Sequence, residues 1–165
     1  METFDDYFWS MSNAGVRIGE EGEGMSYMKS DEGQFTERGG VYTIFDTGAP
    51  DMYISSLWFN TFLDSLFANT GNNYRIEDGT VFASCNGVYE NVYFNVEGYW
   101  LQIPREDYLV DISEDGTGRN CKLRFRSIDA PFNIMGIPAF LGYYVTHDFK
   151  AGTMSFAPHR DSIKP

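Results

Sequence analysis

Histidine, cysteine and positive charge are all scarce in this chain of 165 residues, and each shortage excludes something. The two cysteines, Cys85 and Cys121, form no CxxC pair, and His147 and His159 fall in quite different contexts, so no metal site and no cofactor is expected. Twelve Lys and Arg stand against 24 Asp and Glu, for a net charge of −12. Scattered cations in that number do not build the positive stripe that phosphate binding requires, so a nucleic-acid partner is not expected. No apolar run approaches the ~18 residues of a membrane-spanning helix. Met1 to Arg17 lacks the basic start and apolar stretch of a signal peptide. Internal repeats, heptads and N-x-Ser/Thr acceptors are absent as well.

What is present is a hydrophobic fraction of 42% and an aromatic fraction of 17%, enough for one domain around a real core. Strand-like segments dominate: Tyr7–Met11, Gly15–Ile18, Val41–Phe45, Val81–Ser84, Val92–Val96, Tyr99–Ile103, Tyr108–Ile112, Leu123–Phe125, Gly142–Thr146 and Thr153–Ala157. They are short, rich in β-branched and aromatic residues, and punctuated by Gly, Asn, Asp or Pro, which predicts an all-β domain. One helix interrupts them, with Ser55 as its cap, Leu57, Trp58, Phe62, Leu63, Leu66 and Phe67 as its apolar residues, and Gly71 placed to end it. A shorter one is expected over Ile137–Leu141, with Pro138 in the first turn. The Gly-rich acidic stretch from Gly19 to Gly40 reads as a long hairpin tip or surface loop. By themselves the cysteines fit either a disulfide, the preferred reading, or two buried thiols.

The candidate chemistry lies at "FDTGAP", Phe45 to Pro50. Asp46 ends the apolar run Val41–Phe45, and a carboxylate buried beside such residues is costly unless hydrogen bonds satisfy it. A strand ending in Asp-Thr-Gly has a chemical logic. The glycine lets the backbone turn and aim its N–H at the carboxylate, and the threonine hydroxyl is free to bond a facing loop. Two such loops face to face share one proton between two carboxylates, because like charges about 3 Å apart cannot both ionise easily. One carboxylate then acts as base toward water while the other polarises a carbonyl. Asp5, Asp51, Asp64 and Asp148 lie in turn or helix contexts without this grammar.

The surroundings make the motif specific. "YFWSMSNAGVRIG", "TIFDTGA", the helix after Ser55, "IMG" at Ile134–Gly136, "IPAFLGYYVTHD" and "GTMSFAPH" follow one another in the order of the C-terminal lobe of pepsin-like aspartic proteases, which the chain resembles from Tyr7 to Pro158. The resemblance implies bent, orthogonally packed sheets with one or two short helices over a single domain spanning residues 1–165, and a Cys85–Cys121 disulfide. It implies Asp46 as a catalytic aspartate, Gly48 as the turn and backbone donor, Thr47 as the hydroxyl linking two catalytic loops, and Gly136 as the brace beneath the Asp46 loop. Ala49 departs from the usual Thr or Ser, which removes a hydrogen bond to the carboxylate and suggests a less acidic pH optimum. Pro50 is a further departure.

One Asp-Thr-Gly is half of such a site. The first functional reading is therefore a lobe of an aspartic endopeptidase, acting on an extended polypeptide, that needs an N-terminal lobe or a second copy of itself as partner. The other is a non-enzymatic binding or structural module that keeps the fold. A disulfide and the family together imply a secreted, lysosomal or vacuolar location.

Overall fold

The computed structural model describes residues 8–19, 25–26, 40–114 and 120–159. Tyr7 and most of the acidic stretch between Gly19 and Gly40 lie outside the described residues. As the composition predicts, β-structure prevails. In chain order the strands are β1 (Ser10–Ile18), β2 (Met25–Ser26), β3 (Val41–Phe45), β4 (Met52–Ser55), β5 (Tyr74–Glu77), β6 (Thr80–Ala83), β7 (Val92–Val96), β8 (Tyr99–Ile103), β9 (Leu109–Asp111), β10 (Cys121–Ile128), β11 (Asn133–Met135), β12 (Tyr143–Asp148) and β13 (Thr153–Pro158). Among the described residues three helices accompany them: α1 (Ser56–Phe67), α2 (Arg105–Tyr108) and α3 (Pro138–Leu141).

Eleven of these strands form one mixed sheet in the order β5-β6-β10-β4-β11-β3-β1-β7-β8, with β2 added to β1 and β9 to β10. β12 and β13 form a separate hairpin. The β5–β6 and β7–β8 turns are Asp78–Gly79 and Glu97–Gly98, all four residues at positive φ, the backbone that two-residue hairpins of matching twist require.

Two expected strands, Tyr7–Met11 and Gly15–Ile18, are one. β1 runs on through the polar Ser12–Asn13 segment with a bulge between Asn13 and Gly15 in its pairing to β7, where the Asn13 Oδ1 accepts the Gly15 N–H at 3.1 Å. The expected strand Tyr108–Ile112 is also corrected. Tyr108 closes the turn of α2, and its fully buried hydroxyl donates to the Glu90 carbonyl at 2.6 Å, so only Leu109–Asp111 pair with β10.

α1 buries Trp58, Phe59, Phe62, Leu63, Leu66 and Phe67, a stripe at helical spacing, whereas Leu57 is 46% exposed. Ser55 stands at the N-cap position and caps nothing. Its hydroxyl donates instead to the Ala130 carbonyl at 2.6 Å, and its N–H to the buried Asn133 Oδ1 at 2.9 Å, tying the head of α1 to the approach of β11. Gly71 does not end the helix; α1 stops at Phe67, where Thr70 turns back to the Phe67 carbonyl through both its N–H and its hydroxyl. Behind the sheet Phe62 packs edge-on against Phe125 at 4.8 Å, and Phe125 meets Tyr108 at 5.1 Å. Cys85 and Cys121 are disulfide-bonded, with Cα atoms 5.1 Å apart.

Candidate active site

The Asp46 loop bridges two strands that are not each other's neighbours. β3 leads into it and β4 leads away, and between them lies β11, parallel to β3 and antiparallel to β4. The loop therefore arches over the end of β11, where the chain passes from Met135 to Gly136. Hydrogen bonds fasten the arch at both ends. The Asp46 N–H donates to the Met135 carbonyl at 3.0 Å, and the Ile137 N–H donates to the Ala49 carbonyl at 2.8 Å. Within the arch the Ala49 N–H closes a turn onto the Asp46 carbonyl at 3.2 Å.

Gly136 is required by this close passage. A Cβ there would overlap the Asp51 carbonyl oxygen and stand 2.5 Å from the Ala49 carbonyl oxygen, both of them backbone atoms of the arch. The residue thus lies directly beneath the Asp46 loop.

The strand preceding Asp46 is buried on alternate residues, Val41, Thr43 and Phe45, but the carboxylate at its end is not: Asp46, Thr47 and Gly48 are all exposed. What holds the carboxylate is the Gly48 N–H, which donates to Oδ1 at 2.8 Å. A carboxylate accepting a backbone N–H while open to solvent is oriented at little desolvation cost. Ala49, by contrast, is 8% exposed and adds no hydroxyl.

Asp46 and Thr47 line a cavity of about 420 Å³ together with Trp9, Phe45, His147 and Phe149. Trp9 sits edge-on to His147 at 4.8 Å and to Phe149 at 5.0 Å. Phe149 is 84% exposed and Phe8, at the same cavity, 55%. These neighbours were not legible as site residues. His147 comes from the separate β12–β13 hairpin, and only the alternation of half-buried Tyr143, Val145 and His147 along β12 marks the face that turns toward the site.

Asp51 lies in the turn context that the sequence gives it, but its carboxylate is buried. Its side chain is 3% exposed, with Lys122 Nζ at 3.2 Å and Arg126 Nη1 at 3.8 Å from Oδ2. Arg126 in turn donates to the Asp78 carbonyl at 2.9 Å. The readable signal was the K-x-R-x-R alternation of β10, which places Lys122, Arg124 and Arg126 on one face. Arg124 interacts with Asp107, but burial and the neighbouring Glu106 outweigh it and push the Asp107 carboxyl above its usual range. The far end of the Asp46 arch is thereby pinned to β10 by charge, as its near end is pinned to β11 by hydrogen bonds.

Asp46, Thr47, Gly48 and Gly136 are thus gathered in one place, and the Cys85–Cys121 bond lies elsewhere, between the end of β6 and the start of β10. Among the described residues no helix is long and apolar enough to cross a membrane. Against known families, the model for eukaryotic aspartyl protease matches residues 7–159. Compared with curated individual proteins, the chain has no match.

Proposed function

The chain belongs to the eukaryotic aspartyl protease family, and from that premise we propose that it is the C-terminal lobe of an aspartic endopeptidase, in which Asp46 supplies one of two catalytic carboxylates. The observation that carries this reading is the posture of Asp46: a carboxylate at a strand end, held by the Gly48 N–H at 2.8 Å on an arch fixed at both ends, and left open to solvent beside Phe8 and Phe149. Large exposed aromatics around a polar centre are what a face made for burial looks like.

The second carboxylate then comes from an N-terminal lobe, in the same polypeptide or a separate one, or from a second copy of this chain. With both in place the pair shares a proton. The ionised member takes a proton from a water lying between them, and that water attacks the scissile carbonyl of an extended polypeptide. The protonated member hydrogen-bonds the carbonyl oxygen as charge develops there. No covalent intermediate forms, so no Ser, Cys or His nucleophile is called for. Thr47 would bond across to the partner loop, and Gly136 lets the arch sit low on β11. The disulfide fits an oxidising compartment and hence a secreted, lysosomal or vacuolar enzyme.

The test is native mass spectrometry of the protein as purified from its source, beside a peptide-hydrolysis assay at acidic pH. A mass above 18.8 kDa that accounts for a second lobe or a second copy, with hydrolysis abolished by Asp46→Asn, is the expected result. A species of 18.8 kDa alone that cleaves nothing would leave a binding module with the family fold.

A further inference from the structure

A second cavity, of about 570 Å³, lies between the β7–β8 and β12–β13 hairpins and shares no lining residue with the one at Asp46. Strand register explains its chemistry. Arg17 of β1 pairs with Tyr93 of β7, and Tyr93 pairs with Gln102 of β8, so the three stand in a row on one face of the sheet. Trp100, two residues before Gln102, shares that face. The Arg17 guanidinium carbon lies over both the Tyr93 and the Trp100 ring, 4.6 Å from each centroid. Opposite, the Tyr143 hydroxyl accepts the Gln102 N–H at 2.8 Å and donates to its carbonyl at 3.2 Å, fixing the second hairpin so that Ser155 and Phe156 close the cavity.

Arg17 in this setting is a cation, and the cavity wall around it holds no carboxylate. Among the described residues no carboxylate pairs with it, and its Nε is buried without a hydrogen-bond partner. With the Tyr93 and Trp100 rings against the guanidinium carbon and Nε buried, the terminal N–H groups are the part of the cation left for a ligand. A planar fork presented edge-on matches a carboxylate. The walls beyond it, Trp100 and Phe156, are apolar, and Trp100 is 43% exposed. The volume lies in the range of sites for small organic ligands.

We propose that this cavity binds a small organic carboxylate with an apolar tail, the carboxylate on the edge of Arg17 and the tail against Trp100 and Phe156. An excess of acidic residues over the rest of the chain repels anions in general, so the affinity comes from this one local cation and its geometry rather than from long-range attraction.

The test is NMR titration of the full chain with octanoate and with octanamide, its neutral analogue, reading the Trp100 indole N–H. Saturable shifts are expected with octanoate, and binding at least ten times weaker with octanamide. Arg17→Gln should weaken octanoate at least tenfold while leaving octanamide unchanged. Gln102→Trp, on the same sheet face as Tyr93 and Trp100 and bonded to Tyr143 only through its backbone, should fill the cavity and abolish both, which gives a readout independent of whether Arg17→Gln folds. Equal binding of acid and amide, octanoate binding undiminished in Gln102→Trp, or no saturable shift up to about 10 mM ligand would each overturn the proposal.

Discussion

Gly136→Ala is the sharpest perturbation of the Asp46 arch. The new Cβ would overlap the Asp51 carbonyl oxygen and lie 2.5 Å from that of Ala49, whereas ordinary contacts of a Cβ begin at 3.4 Å. The arch must therefore rise by about 1 Å, and neither oxygen belongs to a flexible side chain. Lifting Ala49 strains its bond from the Ile137 N–H, and lifting Asp51 pulls its carboxylate from Lys122. Overpacking of about 1–3 kcal/mol and one weakened hydrogen bond of about 1 kcal/mol sum to roughly 3 kcal/mol. For a domain of this size that lowers Tm by roughly 6–12 °C. In the assembled enzyme the same displacement should cost about 100-fold in hydrolysis. Thermal melts by circular dichroism check the first figure. Gly98→Ala serves as the reference, since its φ of 85° is strained for alanine but its Cβ would meet nothing within 4 Å. A Gly136→Ala melt no lower than that of Gly98→Ala would refute the close-passage argument.

Four further outcomes are expected. Lys122→Met should cost about 2–3 kcal/mol, because Asp51 stays buried with only Arg126 near, whereas Asp51→Leu should cost under about 1 kcal/mol, since both cations are one-third exposed and reach water; equal losses in urea titrations would contradict this. Replacing Cys85 and Cys121 by Ser opens a loop of sequence separation 36 and should remove about 4 kcal/mol, read from the same titrations. Burial raises the Tyr108 hydroxyl above the usual value of 10.0 in the folded state, so its contribution is full below pH 10.0 and is lost as pH rises beyond it. Melts of Tyr108→Phe should accordingly fall less steeply than wild type above that pH. Ala49→Thr should place a hydroxyl near the Asp46 carboxylate, favour its charged form and move the acid limb of the hydrolysis profile to lower pH; an unmoved limb would remove Ala49 from the account.

The elements that sequence shows clearly are those whose pattern is local. Alternating β3, the apolar stripe of α1 and the Asp-Thr-Gly turn are each read from a few neighbouring residues. What it hides is set by partners distant in the chain. β4 and β11 span four and three residues, too short to show a period, yet they are the two strands that place the arch. Ser55 looks like a cap because its type and position fit, but Asn133 and Ala130, more than 70 residues away, offer its N–H and hydroxyl other partners. Asp51 reads as a turn residue, as it is, but its burial does not show in the sequence because the cations that compensate it lie on β10. The exposure of Asp46 is the reverse case: the strand before it predicts burial, and the carboxylate at its end stands open for whatever faces it.

That last feature bears on the central claim, that Asp46 is half of a two-carboxylate site. The direct measurement is calorimetric binding of pepstatin, whose hydroxyl mimics the tetrahedral state, to the protein with its companion lobe or second copy in place. Tight binding that is lost in Asp46→Asn while the assembly stays intact is the predicted result. Binding unaffected by Asp46→Asn, or none in an assembly that holds both carboxylates, would contradict the account.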